Sequence, residues 1–129
     1  MRDKIRVKIT GSIATQVDLE GMAITDDEIE EIAQEIKTLK PGLQLIDLSN
    51  NKIGDSGAKI ISQIFAELHD LSEIRLEGNN IGKDGATALF LLKKTHPSIT
   101  IDLSGNRIFD AKEAEDLEHA PTTRPQNNR

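Results

Sequence analysis

Three stretches of this chain repeat one another in step, and that periodicity limits the fold more than any other feature. They are Ile46-Asp47-Leu48-Ser49-Asn50-Asn51-Lys52-Ile53, Ile74-Arg75-Leu76-Glu77-Gly78-Asn79-Asn80-Ile81 and Ile101-Asp102-Leu103-Ser104-Gly105-Asn106-Arg107-Ile108. Each reads apolar-x-Leu-x-x-Asn-x-Ile. The Asn positions lie 28 residues (79 − 51) and 27 residues (106 − 79) apart. A weaker copy precedes them, Val17-Asp18-Leu19-Glu20-Gly21-Met22-Ala23-Ile24, with Met22 in the Asn place 29 residues (51 − 22) earlier. A unit this short cannot enclose its own apolar face, so the copies must stack on one another as a solenoid.

The residue types explain the unit. Apolar-x-Leu alternation is a short strand that turns both apolar side chains into the core. A sharp turn follows, leaving backbone amides and carbonyls without strand partners. Asn supplies both donors and an acceptor, so stacked Asn51, Asn79 and Asn106 are expected to satisfy those groups. Helices come next. Thr25-Asp26-Asp27-Glu28 is a capping-box pattern ahead of Ile29, Ile32, Ala33, Ile36 and Leu39, and Pro41-Gly42 ends that helix. The second helix is expected to be capped by Asp55 or Ser56 and to bury Ala58, Ile61, Ile64, Phe65 and Leu68; the third, capped by Asp84, to bury Ala86, Leu89 and Leu92. The twice-used Ile-Gly-x-x-Gly-Ala puts small residues where helix and turn approach closely. One strand plus one helix per repeat gives an α/β solenoid, with parallel strands on the concave face and helices on the convex face.

On these motifs the chain resembles the leucine-rich-repeat family, in its long-repeat, ribonuclease-inhibitor-like class; the resemblance covers roughly residues 14 to 117. It implies a binding surface more than any particular chemistry. The organisation expected is an N-terminal capping strand over 1–13, about four repeats over 14–118 and a disordered tail over 119–129. Ile5, Val7 and Ile9 alternate with charged residues and Thr10-Gly11-Ser12 reads as a turn, so the N-terminal cap is expected to be a β-hairpin. At the other end the glycines are lost, and Lys112, Glu113, Glu115, Asp116 and Glu118 make a polar capping helix. That acidic block ahead of a polar end is similar to the C-terminal signals of bacterial type IV secretion effectors, as in Legionella; an ordinary acidic capping helix has the same composition.

Composition narrows the function. Acids number 22 against 16 bases, net −6, which opposes binding to a phosphate backbone. Three Phe and no Trp or Tyr leave no stacking platform for bases. No apolar run reaches the roughly 18 residues of a membrane helix, and no membrane partner is expected. The absence of cysteine fits a reducing compartment, so the expected location is the cytoplasm, or a host cytosol for an effector. His69, His96 and His119 stand at helix ends or in the tail, without the spacing of metal ligands, and read as surface or cap residues. No catalytic, cofactor or metal constellation is found, and no enzyme activity is expected.

A protein partner is the expectation that remains. At the solvent-facing strand positions, Asp18, Glu20, Asp47, Glu73, Glu77 and Asp102 are acidic and Arg75 alone is basic. This is either an acidic strip that recognises a basic surface or a solvated sheet face. With strands about 4.8 Å apart, Arg75 falls between Asp47 and Asp102, which leaves Asp18, Glu20, Glu73 and Glu77 as the acids without a basic neighbour. Ran GTPase-activating proteins resemble this repeat class, and that likeness implies an alternative: Arg75 as a catalytic arginine of a small-GTPase regulator. Its carboxylate neighbours favour a structural ion pair.

Overall fold

The computed structural model describes residues 1–107, and in them the repeat is built as its pattern requires. Strands β1 (Gln16–Asp18), β2 (Leu45–Asp47), β3 (Glu73–Arg75) and β4 (Thr100–Asp102) pair in that order, all parallel and without a register slip. The connections carry helices α2 (Asp26–Leu39), α3 (Asp55–Phe65) and α4 (Lys83–Phe90), the last running into a 3-10 turn over Leu91–Lys94. The core lies between sheet and helices. Val17, Leu19, Ile46, Leu48, Ile74 and Leu76 enter it from the strands; Ile32, Ile36, Ile61, Phe65 and Leu89 enter from the helices. All the helix residues expected inside are buried except Leu39, which is 44% exposed at the end of α2 while Leu43 takes the inward place after Pro41-Gly42. The polar capping helix and the tail, including His119, lie outside the described residues.

The N-terminal cap is a correction. Residues 1–13 form no capping strand and no hairpin: Asp3–Thr10 is an α-helix, α1. Ile5 and Ile9 are four residues apart, so one helical face buries both, and each is fully buried against the first repeat. Val7, whose burial a strand would have required, is 67% exposed. The helix is also held by charge. Arg2 pairs with Glu28 at 2.7 Å, Arg6 with Glu35 at 3.0 Å and the Met1 amine with Glu31 at 3.0 Å, all on α2. Its bond to Arg2 is the main reason the Glu28 carboxyl lies below its ordinary value.

The helix starts differ from expectation as well. Thr25 and Glu28 do form the capping box, with the Thr25 amide donating to Glu28 Oε1 at 3.1 Å. The later helices are not capped by Asp55, Ser56 or Asp84. Their N-caps are Gly54 and Gly82, and the carboxylates come from the repeat before. Asp26 Oδ1 accepts the Gly54 amide at 2.7 Å; Asp55 Oδ1 accepts the amides of Gly82 at 2.7 Å and Gly85 at 3.0 Å. This accounts for the Gly-x-x-Gly motif, because a Cβ on Gly57 would come within 2.5 Å of Asp26 Oδ1 and one on Gly85 within 2.7 Å of Asp55 Oδ1. An orphan helix amide and the positive end of the helix dipole both favour a carboxylate there. Arg107 closes the arrangement, its Nη2 3.2 Å from Asp55 Oδ2 and its Nε donating to the Asn80 carbonyl.

Two measurements test these features. Ile5→Ala should cost about 2–5 kcal/mol by leaving a cavity, whereas Val7→Ala should leave the denaturation midpoint almost unchanged; comparable losses would restore the strand. Burial raises the Asp55 carboxyl, but the Gly82 and Gly85 amides with Arg107 outweigh it and hold it below its ordinary 3.8. A carboxyl lowered by folding stabilises the fold above its ordinary value, and that contribution fades as pH falls through the folded value. Asp55→Ala should therefore cost about 0.5–2 kcal/mol near neutrality, with the gap in thermal stability closing below pH 3.8. A gap independent of pH would show that the charge contributes nothing.

Candidate functional site

The concave face is held in place from beneath by asparagines. Asn51 Oδ1 accepts the amides of Met22 and Ile24, each at 2.9 Å, while its Nδ2 donates to the carbonyls of Leu19 and Leu48. Asn79 repeats this with the Ile53 amide and the Leu48 and Leu76 carbonyls; Asn106 repeats it with the Ile81 amide and the Leu76 and Leu103 carbonyls. Each side chain thus ties its own turn to the turn one repeat back. Asn51 is buried and Asn79 only partly so. Met22 stands in the first turn because no earlier turn needs an amide there. The residue two places after each strand Leu has positive φ: Gly21, Asn50, Gly78 and Gly105. Only Gly and Asn enter that region at small cost, and a Cβ on Gly78 would strike Asn50 Oδ1.

On this base the ladder aligns Asp18, Asp47, Arg75 and Asp102 in one row across the sheet, and Gln16, Leu45, Glu73 and Thr100 in another. Arg75 does sit between Asp47 and Asp102, but its shortest ion pair is with Glu73 on its own strand. Arg75 Nε lies 2.7 Å from Glu73 Oε2, and Nη1 lies 3.9 Å from Asp47 Oδ2. Glu73, and behind it Asp47 and Glu77, raise the guanidinium pKa further. Glu73 is therefore not among the acids lacking a basic neighbour. Asp18, Glu20, Glu77 and Asp102 form no ion pair among the described residues, although Asp102 is the cross-strand partner of Arg75 and Glu77 also acts on it. Glu77 is also part-buried rather than fully exposed, with an Oε1 that has no hydrogen-bond partner.

Local bonds fix several of these carboxylates. Asp47 Oδ1 accepts the amide and hydroxyl of Ser49, Asp102 Oδ1 those of Ser104, and Asp18 Oδ1 the amide of Glu20. Ser49 is buried. Asp18, Glu20 and Asp47 bring carboxylate oxygens within 4.8 Å of one another. The chemistry available is the attraction and orientation of a cation by preset acceptors.

His96 was missed as a structural residue. It is buried, with Nε2 2.7 Å from the Leu68 carbonyl and Nδ1 2.8 Å from the Thr95 hydroxyl. A carbonyl only accepts, so Nε2 carries the proton and the ring bridges two repeats. The visible signal was Thr95-His96-Pro97 directly before a strand, where a chain end needs a side-chain partner. His69 is exposed, as expected. Among the described residues no helix is long and apolar enough to cross a membrane.

Comparison with known proteins agrees with this architecture. Residues 43–62 and 67–90 match the family described as Leucine Rich repeat. Mouse (Mus musculus) protein NLRC5 is 35% identical over 74 residues, 57% of this chain but 4% of that protein, so the match spans a small part of the relative. Among solved structures, leiomodin-1 actin-binding site 2 superposes with a TM-score of 0.69 at 18% identity, covering 88% of this chain and 69% of the other. That similarity concerns the fold.

If the asparagines set the spacing of the face, their removal should cost according to the groups stranded. Asn79→Leu should lower stability by about 1–3 kcal/mol and Asn51→Leu by more, because Asn51 serves two amides and is the more buried. Equal urea midpoints for parent and variants would show that the asparagines are not structural.

Proposed function

We propose that this leucine-rich-repeat solenoid is a protein-interaction module whose concave strand face receives a basic surface of a partner protein. The observation that carries the reading is the set of carboxylates that form no ion pair among the described residues, Asp18, Glu20, Glu77 and Asp102, beside an Arg75 already engaged by Glu73. The carboxylates of Asp18, Glu20 and Asp47, with oxygens within 4.8 Å of one another, repel, and a Lys or Arg placed among them relieves that repulsion. The same field steers a basic partner towards the face. A rigid parallel sheet adds little ordering cost on binding. The leiomodin-1 segment, named for binding actin, is a case of this fold in protein recognition.

Activation of a small GTPase would require Arg75 to leave Glu73, so the interaction module is the preferred reading. We place the protein in a reducing compartment, the cytoplasm or a host cytosol reached as an effector; the lack of cysteine supports this.

The test is capture of partners from lysate on the recombinant chain, identification by mass spectrometry, and surface plasmon resonance at two salt concentrations. Glu77→Gln with Asp102→Asn removes two charges and keeps the side-chain oxygens that Ser104 needs. Association should slow and its salt dependence flatten, with dissociation and thermal stability little changed. Unaltered association would move recognition to the convex helices or to the tail.

A further inference from the structure

We propose that the outer edge of β1 is a second docking site, taking an extended segment of a partner protein in which apolar and basic residues alternate, as an added strand. The backbone presents the edge. Thr15 C=O and the amides of Leu19 and Gly21 bond towards β2. Alternate residues of a strand turn their polar groups to opposite sides, so the carbonyls of Gln16 and Asp18 and the Asp18 amide face the other way. β1 is the first strand of the sheet, and no strand of the described residues lies on that side. Among the described residues these groups make no hydrogen bond, although α1 packs beside β1.

A trench follows this edge. A shallow hollow of about 480 Å³ on the concave face, lined also by Leu45, Asp47 and Arg75, adjoins two along the edge of about 390 and 580 Å³. The first two share Ser12 and Asp18; the second and third share Val7 and Lys8. Together they run from Ile13, before β1, to Met22, after it. Of the four large apolar side chains exposed among the described residues, two stand here, Val7 at 67% and Ile13 at 63%. Exposed apolar side chains beside an unpaired strand edge are the two halves of a strand-addition site: backbone bonds supply affinity, and side-chain contacts supply selection.

The charges choose the occupant. Side chains of an added strand alternate between two faces. One set would lie on the concave face beside Asp18 and Glu20, which have no cationic partner, and is therefore basic. The other set would lie on the α1 side against Val7, where Lys4 and Lys8 stand nearby, and is therefore apolar. A segment of roughly five residues spans the edge.

The site shares Asp18 and Glu20 with the concave-face reading and rests on it to that extent, and one experiment keeps the two apart. The probe is a fluorescent Val-Lys-Val-Lys-Val peptide, titrated into the full chain and followed by anisotropy. Two singly N-methylated versions differ only in which of two adjacent amides is blocked. Blocking the amide that faces β1 should weaken binding about tenfold, the loss of a hydrogen bond with its partner left unmet, while blocking its neighbour should change little. Val7→Asp in the protein and Glu for Lys in the peptide should each abolish binding. Glu77→Gln with Asp102→Asn, which tests the concave face, should leave peptide binding intact. Equal effects of the two N-methyl groups, or no binding by the parent peptide, would overturn the proposal. So would a concentration-dependent dimer that blocks the peptide and is lost in Val7→Asp, because the occupant would then be a second copy of this chain.

Discussion

Everything on the concave face depends on one interaction, the bonding of an asparagine side-chain amide to the backbone of two successive turns. Three-residue strands contribute few ladder bonds of their own, and each is followed by a turn whose polar groups point into the protein. Leaving one such group unmet costs about 1–3 kcal/mol, so without the asparagines the turns would have to open to water. Because Asn51, Asn79 and Asn106 each reach back one repeat, they also fix the spacing of neighbouring strands. The row Asp18, Asp47, Arg75 and Asp102 owes its alignment to that spacing.

The fold was legible because its determinants recur. Strand, turn and helix burial all follow from spacings that appear three or four times, and the core residues read from helical periodicity are inside, Leu39 excepted. The N-terminus was misread because Ile5-x-Val7-x-Ile9 satisfies a strand at period two, while Ile5 and Ile9 also satisfy one helical face. The deciding facts lie elsewhere in the sequence. Glu28, Glu31 and Glu35 occur at helical intervals on α2 and match Met1, Arg2 and Arg6 only if the N-terminal segment is itself helical. The helix caps failed for a related reason. Local rules look for a capping side chain at the helix's own start, whereas here Asp26 and Asp55 serve the following helix.

The candidate face was legible in its charges but not in its pairings. Strand alternation places the acids and the arginine on one side, and the register confirms the row across the sheet. Which acid the arginine prefers depends on side-chain reach, and the same-strand Glu73 is nearer than the cross-strand Asp47. Nor does alternation show that Ser49 and Ser104 fold back on Asp47 and Asp102. Those bonds matter for recognition: a carboxylate already anchored by an amide and a hydroxyl loses less freedom when a cation binds its second oxygen.

The cap relay changes chemistry at α4. Asp26 and Asp55 occupy the first position of α2 and α3 and supply the carboxylate for the next helix, whose start is a glycine. At the corresponding position of α4 stands Lys83, which cannot accept an amide, and Phe109 stands where Gly54 and Gly82 stood. Arg107 turns instead towards Asp55 and the Asn80 carbonyl, binding the last described turn to the two repeats before it. At the first position of α4 a cation, Lys83, replaces the anion that the two earlier helices contribute.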